Sequence, residues 1–238
     1  MTASFARQVR AVVPGLWRVR LGMVNAYLLD DGDLTLVDTG MPGSEKAIFA
    51  AFAALGRRPE ELRRIIVTHA HADHSGGLAA LKRATRAEAL MHASDAALVR
   101  RGVSSRPLTP SPGPFPWFLA RLLLRGAPQT IEPHEIEREL ADGSVIPGTG
   151  GLTVVHAPGH CAGQVALFWP RHGGVLFAAD AASNLSGLGL SLVYEDLSEG
   201  RRTLARLGRL DFDVAVFGHG APIRSDASAR FRARWRCP

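Results

Sequence analysis

The stretch Thr68-His69-Ala70-His71-Ala72-Asp73-His74 follows directly after the apolar run Ile65-Ile66-Val67. It places three imidazoles and one carboxylate within six positions, at a point where a strand is expected to end. Neutral histidines gathered around one point leave ring nitrogens that hydrogen bonds rarely satisfy together, whereas divalent cations take them as ligands. A solvated, histidine-rich loop is the alternative, and residues farther along the chain argue against it.

Three more candidate ligands follow, each after an apolar run that is typical of a strand. His160 follows 154–159, Asp180 follows 175–179 and His219 follows 214–218. In layered α/β folds, reactive side chains collect at strand ends and in the loops that leave them. Together with the first four, these residues make seven candidate ligands, which is enough for two metal ions.

Short β-like runs form two groups on either side of the middle of the chain. The first group is 17–21, 24–29 and 34–37, and the second is 152–155, 165–169 and 175–177. Helical patterns lie between and after these groups, at 44–55, 78–84 and 198–207. This order predicts two packed sheets covered by helices.

The chain resembles the metallo-β-lactamase superfamily, whose signature is His-x-His-x-Asp-His followed by a distant His, an Asp and a His. Residues 69–74 match the first part, and segments 24–29 and 34–40 are similar to the family's first strands. Gly218-His219-Gly220 resembles the closing ligand loop. The resemblance covers nearly the whole chain. It implies an α/β fold, a four-layer αββα sandwich in which helices flank two mixed sheets.

The resemblance also implies how the candidate ligands divide between two divalent metal ions. One ion would bind three histidines, the other would bind an aspartate and two histidines, and a second aspartate would bridge them. In that order the residues are His69, His71 and His160; Asp73, His74 and His219; and Asp180. Zinc is the expected metal, and iron or manganese also suits such ligands. A hydroxide bridging the ions would be the nucleophile, with Asp73 as the catalytic residue that orients it.

Other residues are candidates for supporting roles. Asp38 is expected to fix a ligand histidine from behind, the alternative being a turn residue. Tyr194 and Asn184 can reach a substrate oxygen, the alternatives being packing for Tyr194 and a turn for Asn184. Cys161 occupies a position where the family commonly has threonine, and we expect it to lie behind the ligands. His156 is expected to be a structural histidine rather than an eighth ligand.

The resemblance favours the glyoxalase II and lactonase-like branch over true β-lactamases, because Asp180 is typical of that branch and no secretion signal is found in the sequence. A glyoxalase II would normally continue into a helical substrate-binding domain, whereas 19 residues follow His219. The expected reaction is therefore hydrolysis of a small-molecule ester, thioester or lactone. One alternative is a persulfide dioxygenase with a single iron ion. Its ligands would be His71 or one of its neighbours, His160 and Asp180. A metal-dependent phosphodiesterase or nuclease is another.

Composition is ordinary for a globular protein, with 46% apolar and 21% charged residues, and we expect one domain over 1–238. The absence of a long apolar segment predicts a cytoplasmic location and no membrane span. Cys161 and Cys237 are too few for a disulfide framework and are expected to be free thiols. The net charge is +6, and the arginines near the C-terminus are expected to project from a docked helix into water. Nucleic-acid binding is the less favoured interpretation.

Residues 102–130 depart from the rest of the pattern, because five prolines precede the apolar stretch 117–124. The prolines stiffen the approach to a short helix that is apolar on most sides. Three interpretations remain open for this insertion: a lid that carries an apolar substrate wall, a homodimer contact, or a core helix. A membrane-surface role is less favoured, since only Arg121 and Arg125 offer a basic face.

Overall fold

The computed structural model describes residues 8–126 and 128–235 of the 238-residue chain. Its larger sheet has seven strands in an order that follows the chain, with antiparallel pairing at the beginning and parallel pairing from the fourth strand onward. These strands are β1 (Val9–Val13), β2 (Leu16–Leu21), β3 (Val24–Asp31), β4 (Asp33–Val37), β5 (Leu62–Ile66), β6 (Glu88–His92) and β8 (Arg138–Leu140).

The second sheet has four strands, β9 (Thr153–His156), β10 (Val165–Trp169), β11 (Val175–Phe177) and β15 (Val214–Val216), in the order β15-β11-β10-β9. β11 and β15 run parallel while the other pairs are antiparallel, so both sheets are mixed. Two short ribbons complete the strands. They pair β7 (Thr109–Pro110) with β14 (Val193–Tyr194), and β12 (Ala182–Ser183) with β13 (Gly189–Leu190).

Helices cover the outer faces of both sheets. They are α1 (Glu45–Ala54), α2 (Ala72–Ser75), α3 (Leu78–Thr85), α4 (Ala93–Val99), α5 (Pro114–Leu124), α6 (Leu197–Leu207) and α7 (Ala227–Arg234), with a 3-10 turn at Pro59–Glu61. The start of α6 is set by Asp196, whose carboxylate accepts a hydrogen bond from the Glu199 N–H at 2.9 Å. Such a cap satisfies one of the N–H groups that a helix leaves free at its N-terminus.

Three apolar clusters hold the layers together. Ile48 and Phe52 of α1 pack against the outer face of the larger sheet, and Leu204 and Phe231 of α6 and α7 pack against the outer face of the smaller one. The middle cluster joins the inner faces of both sheets around Trp169. Burial of each such large apolar side chain contributes about 1.5–3 kcal/mol. The predicted four-layer αββα fold is confirmed.

The predicted strands and helices agree with the structure to within one or two residues at most ends. The sequence patterns missed β1, β6 and β8, however. β1 lies at the edge of the sheet and carries Arg10, while β6 begins with Glu88 and β8 consists of Arg138, Glu139 and Leu140. Charged residues at edges and strand ends weaken the apolar signal from which strands are predicted.

The insertion 102–130 forms α5 and the short strand β7. Ala120 is buried, but Trp117, Phe118 and Leu122 are 54–61% exposed, which is incompatible with a core helix. Leu119, on the same helix, faces a cavity described below. The position of Leu119 favours a lid and the exposed apolar side chains favour a homodimer contact, and both interpretations stay predictions. Within the described residues, no helix is long and apolar enough to cross a membrane.

The C-terminal arginines lie as expected. In α7, Phe231 is buried against Phe212 and Phe217, while Arg230 and Arg232 are exposed. Arg236, Cys237 and residues 1–7 lie outside the described residues. Cys161 is a buried free thiol.

A stability prediction follows from the contact between the loop before His160 and α6. Gly159 has φ +129°, and a Cβ there would lie 2.3 Å from the Gly200 backbone, whereas at Gly187 (φ +108°) a Cβ would meet nothing within 4 Å. Gly187→Ala should cost about 1–2 kcal/mol for backbone strain alone. Gly159→Ala should cost a further 1–3 kcal/mol, roughly, for overpacking. Urea unfolding of both variants measures the difference, and equal losses would contradict the proposed contact.

Candidate metal centre

The seven predicted ligands lie together at one edge of the sandwich, although they come from four separate loops. Residues 69–74 follow β5, His160 follows β9, Asp180 follows β11 and His219 follows β15. Three groups of potential ligand atoms each lie within 4.8 Å of one another. The groups are His69, His71, His160 and Cys161; His69, His74 and Asp180; and Asp73, His74 and His219.

In the first group, one nitrogen of each ring is anchored and the other faces inward. His69 bonds Thr68 Oγ1 through Nδ1 at 3.0 Å, and His160 Nδ1 donates to the Val193 carbonyl at 2.7 Å. His71 is turned the other way, with Nε2 3.4 Å from Cys161 Sγ. Its Nδ1 lies 3.0 Å from His160 Nε2. Two nitrogens on one tetrahedral zinc would be about 3.3 Å apart, so this spacing suits a shared ion.

The third group, Asp73, His74 and His219, has the same arrangement. His74 Nδ1 lies 2.9 Å from Asp38 Oδ2, and His219 Nδ1 donates to the Met23 carbonyl at 2.9 Å. The other nitrogen of His219 lies 3.3 Å from Asp73 Oδ2 and 3.2 Å from Asp180 Oδ2. A carboxylate or carbonyl that accepts a hydrogen bond from the outer ring nitrogen fixes the tautomer and orientation of a metal-ligating histidine.

Asp180 lies between the first and the third group. One oxygen, Oδ1, is 3.7 Å from His74 Nε2, and the other, Oδ2, is 3.7 Å from His160 Nε2. The residue before it, Ala179, has φ +47°, which is uncommon for a residue other than glycine. A carboxylate in this position can face two cations at once.

Unpartnered buried atoms test whether this cluster suits metal ions. His69 Nε2, His74 Nε2 and Asp180 Oδ1 are buried without a hydrogen-bond partner among the described residues. Leaving such atoms unsatisfied is unfavourable by about 1–3 kcal/mol each. All three point into the cluster and belong to side chains that bind divalent cations. The residues present therefore fit a metal centre.

The protonation states of the clustered histidines differ between the first group and His74. Burial lowers the pKa of His69 well below its usual value, and burial together with His160 lowers that of His71 to about 3. These rings are neutral at physiological pH, which is the ligand form of histidine. Burial opposes protonation of His74 too, but Asp73, Asp180 and Asp38 outweigh it and raise its pKa to about 9.

The carboxylates respond in the opposite direction. Burial favours the neutral acid, but the neighbouring His74 and His219 outweigh it and hold the pKa values of Asp73 and Asp180 well below their usual range. Both carboxylates are therefore ionised at neutral pH. Two buried or partly buried negative charges attract positive charge to this point, and a divalent cation supplies it without a proton.

Asp38 supports both groups. Its Oδ2 bonds His74 Nδ1 and also accepts the Thr68 hydroxyl at 3.0 Å, and that hydroxyl is the partner of His69. Its Oδ1 accepts the Thr68 N–H at 2.8 Å. Asp38 has φ +62°, a conformation that asparagine and aspartate tolerate better than most residues. Its side chain thus contacts a ligand histidine in the way the resemblance implies.

A second supporting network was missed by sequence reasoning. Asp95, which is fully buried, accepts the Ala70 N–H at 2.9 Å and the Gly163 N–H at 3.0 Å. Arg106 donates to Asp95 at 2.8 Å and to Glu195 at 3.2 Å. The network joins the loop of His69 and His71 to the loop of His160. No motif marks these residues, because their partners are backbone groups brought together only by folding.

Four other predicted residues have structural partners. The Tyr194 hydroxyl donates to the Ala181 carbonyl and accepts the Ser191 N–H, and the ring is buried, which leaves packing rather than substrate contact. Asn184 Nδ2 donates to the Ala221 carbonyl and so braces the His219 loop. His156 bonds the Ala162 carbonyl and stacks on His92. Cys161 lies behind His71, on the side away from His160.

A cavity of about 430 Å³ opens onto the ligands. Its floor includes His71, Asp73, His160, Asp180 and His219. Its walls are mostly apolar side chains, among them Leu21, Met23, Met41, Leu119, Leu185 and Leu192. A site with apolar walls and a polar, metal-binding floor suits a small molecule that has an apolar portion next to its reacting group.

An αββα sandwich with histidine and aspartate clusters at one edge defines an α/β protein with a candidate metal centre. Residues 19–219 match the model of the metallo-beta-lactamase superfamily. The chain therefore belongs to the metallo-β-lactamase superfamily.

Curated relatives include several hydrolases. A probable metallo-hydrolase, YqjP of Bacillus subtilis, is 27% identical over 86% of this chain and 69% of its own. A hydroxyacylglutathione hydrolase of Anaeromyxobacter dehalogenans is 49% identical over 36% of this chain and 32% of its own. The acyl-coenzyme A thioesterase MBLAC2 of Gallus gallus is 34% identical over 48% and 40%. The chain thus spans from about a third to about two thirds of these relatives.

Solved structures share the fold. A metallo-β-lactamase of Cronobacter sakazakii, mutated in its HARLDQ motif, has a TM-score of 0.70 and 26% identity, over 89% of this chain and 80% of its own. The subclass B3 enzyme BJP-1 of Bradyrhizobium japonicum has a TM-score of 0.70 at 20% identity, over 95% and 89%. The architecture is therefore that of the superfamily.

Asp38→Asn tests the support that one carboxylate gives to both ligand groups. The amide keeps the size and tolerates the backbone conformation, but it cannot accept all three hydrogen bonds that Asp38 accepts. Metal affinity should fall by about 10–100-fold. Competition with a coloured chelator measures it, and thermal unfolding checks that the variant is folded. An unchanged affinity would show that Asp38 does not position the ligands.

Proposed function

We propose that this protein is a dinuclear metal-dependent hydrolase that cleaves a small-molecule ester, thioester or lactone, with a thioester as the preferred substrate. The observation that carries the proposal is the convergence of two anchored ligand groups on either side of Asp180, at the floor of an apolar cavity. His69, His71 and His160 would hold one metal ion, Asp73, His74 and His219 the other, and Asp180 would lie between them.

Zinc ions bound there would lower the pKa of water to about 7 and polarise the substrate carbonyl. The protein's own residues prepare the site for this chemistry. Thr68, Cys161 and the Val193 carbonyl hold the first three rings with their free nitrogens inward. Asp73, whose carboxylate is ionised, borders the cavity and can accept a hydrogen bond from the attacking water and so orient it.

The reaction balances without a further cofactor. The oxygen of water adds to the acyl carbon, the bond between that carbon and sulfur breaks, and the thiolate takes up a proton. The products are a carboxylic acid and a thiol. Leu119, Leu185 and Leu192 on the cavity walls would exclude water from the acyl group and hold it beside the ligands.

Two observations favour a thioester. Relatives named as a hydroxyacylglutathione hydrolase and an acyl-coenzyme A thioesterase match parts of this chain. The apolar walls suit an acyl chain rather than a highly polar substrate. The family's solved β-lactamases make a cephalosporin a necessary comparison in any substrate panel.

Metal stoichiometry and turnover test the proposal together. Protein purified without added metal should contain two zinc ions per chain by elemental analysis, and chelation should abolish thioester hydrolysis until zinc is restored. Asp180→Ala should lower metal content and turnover together, by about 100-fold or more in rate, because both groups lose a ligand. Intact metal content and turnover in this variant would refute the role of Asp180.

Metal identity and a panel of substrates separate the alternative reactions. A single iron with oxygen consumption on a glutathione persulfide would replace the hydrolase with a dioxygenase. Hydrolysis of bis-p-nitrophenyl phosphate in preference to every acyl substrate would indicate a phosphodiesterase. Hydrolysis of the cephalosporin alone would indicate a β-lactamase.

Acyl-chain preference tests the cavity walls. Leu119 lines the cavity, whereas Leu122 on the same helix is exposed and does not. Leu119→Asp should lower kcat/KM for an octanoyl thioester by about tenfold or more and leave an acetyl thioester within about twofold, because several methylene groups lose apolar contact. Leu122→Asp is the matched control and should change neither. Equal losses for both chain lengths would place the acyl group elsewhere.

A further inference from the structure

Four arginines form a basic patch beside the metal centre: Arg10, Arg18, Arg20 and Arg224. Arg10 and Arg18 are directly paired across β1 and β2, and Arg20 lies two positions along on the same face of β2. Arg224, in the loop after β15, donates hydrogen bonds to the Val12 and Ala11 carbonyls of β1. Arg10, Arg20 and Arg224 are exposed and Arg18 is partly buried.

No carboxylate neutralises this patch. Among residues 8–126 and 128–235, none of the four arginines forms an ion pair, whereas Arg64, Arg100 and Arg106 elsewhere in the chain do. Burial lowers the pKa of Arg18, and Arg20, Arg10 and Arg224 lower it further. Four like charges held together are unfavourable unless an anion joins them, since mutual repulsion is then replaced by attraction.

The patch begins where the cavity ends. His219 and Met23 line the cavity. Arg18 contacts the carbonyl of Gly220, which follows His219, and Arg20 Nε donates to the carbonyl of Gly22, which precedes Met23. Arg18 Nη1 donates to the Gly220 carbonyl at 3.2 Å, the same oxygen that accepts from Asn25. A molecule that reacts at the ligands can therefore extend into the apolar cavity at one end and reach the arginines at the other.

We propose that the patch binds the phosphate groups of the thiol portion of the substrate, so that the substrate is an acyl thioester with a phosphate-bearing leaving group. This rests on the proposed function for the identity of the reacting bond. Arginine favours phosphate because its planar guanidinium donates two parallel hydrogen bonds to it. The acyl chain lies in the cavity, the carbonyl at the ligands and the phosphates on the arginines.

Binding of a free thiol tests the patch without turnover. Coenzyme A differs from pantetheine by its phosphates and an adenosine, and any attraction of the sulfur to metal is common to both thiols. 4′-Phosphopantetheine, which adds a phosphate alone to pantetheine, is the control for the adenosine and should also bind more tightly than pantetheine. Calorimetry should give coenzyme A at least about a tenfold lower Kd than pantetheine. The advantage should shrink as salt rises from 50 to 500 mM, because the arginines are exposed to screening. Equal binding of the two thiols at low salt would overturn the proposal.

Variants locate the binding. Arg10→Gln with Arg20→Gln removes two exposed charges. Within the described part of the chain, these side chains form one hydrogen bond, from Arg20 to the Gly22 carbonyl. This double variant should lose most of the preference for coenzyme A. Arg63→Gln with Arg86→Gln is the matched control. These residues line a different cleft, at the opposite ends of β5 and β6 from the ligand loop, and the control should bind coenzyme A as the native chain does.

The outcomes remain separable from those of the hydrolase test. Arginine-dependent binding of coenzyme A without hydrolysis of any thioester would support the anion site and refute the proposed reaction. Thioester hydrolysis with equal kcat/KM for acyl-coenzyme A and acyl-pantetheine would support the reaction and refute the patch. Arginine-dependent binding of glutathione as tight as that of coenzyme A would refute the assignment to phosphate, because the anionic groups of glutathione are carboxylates.

Discussion

The site depends on one constraint. Buried imidazole rings whose nitrogens face each other must be fixed by a hydrogen bond at the other ring nitrogen. Asp38 meets this constraint for both halves of the site, since one of its oxygens bonds His74 and the Thr68 hydroxyl that positions His69. The inward nitrogens of His69 and His74 are then left without hydrogen-bond partners among the described residues. A divalent cation would satisfy them. The strained backbone at Asp38 and Ala179 is consistent with a site whose geometry is imposed by its surroundings.

The sandwich makes this arrangement possible. Parallel pairing of β4, β5 and β6 in one sheet, and of β11 and β15 in the other, brings the carboxyl ends of strands from both sheets to one edge. The middle apolar cluster holds the sheets in register, so loops distant in sequence meet at fixed distances. Asp95 then ties two of these loops together through backbone N–H groups. Rigid layers with loops at their edges are the usual way in which such folds build sites.

The surroundings of the site are uneven. Apolar side chains from β2, β3, α5 and the loop after β12 form one wall, while uncompensated arginines lie beyond His219. Exposed Trp117, Phe118 and Leu122 continue the apolar surface on the outer side of α5. This division gives the site a direction, with an apolar end and a basic end, and it is the physical basis for assigning the two halves of a substrate.

The sequence alone was sufficient to predict two packed sheets covered by helices and the candidate ligands, because strand periodicity and a dense His/Asp motif are local signals that survive in a single chain. The four-layer arrangement was implied by the resemblance to the superfamily. It also indicated Asp38. It did not reveal Asp95, Arg106 and Glu195, nor the gathering of Arg10, Arg18, Arg20 and Arg224. Those groups are defined by hydrogen bonds and charge proximity between residues up to about 200 positions apart, which only tertiary packing creates. The buried partners of Tyr194 were likewise decided by packing, since no pattern in the sequence distinguishes a phenol aimed at a substrate from one bonded to the chain's own backbone.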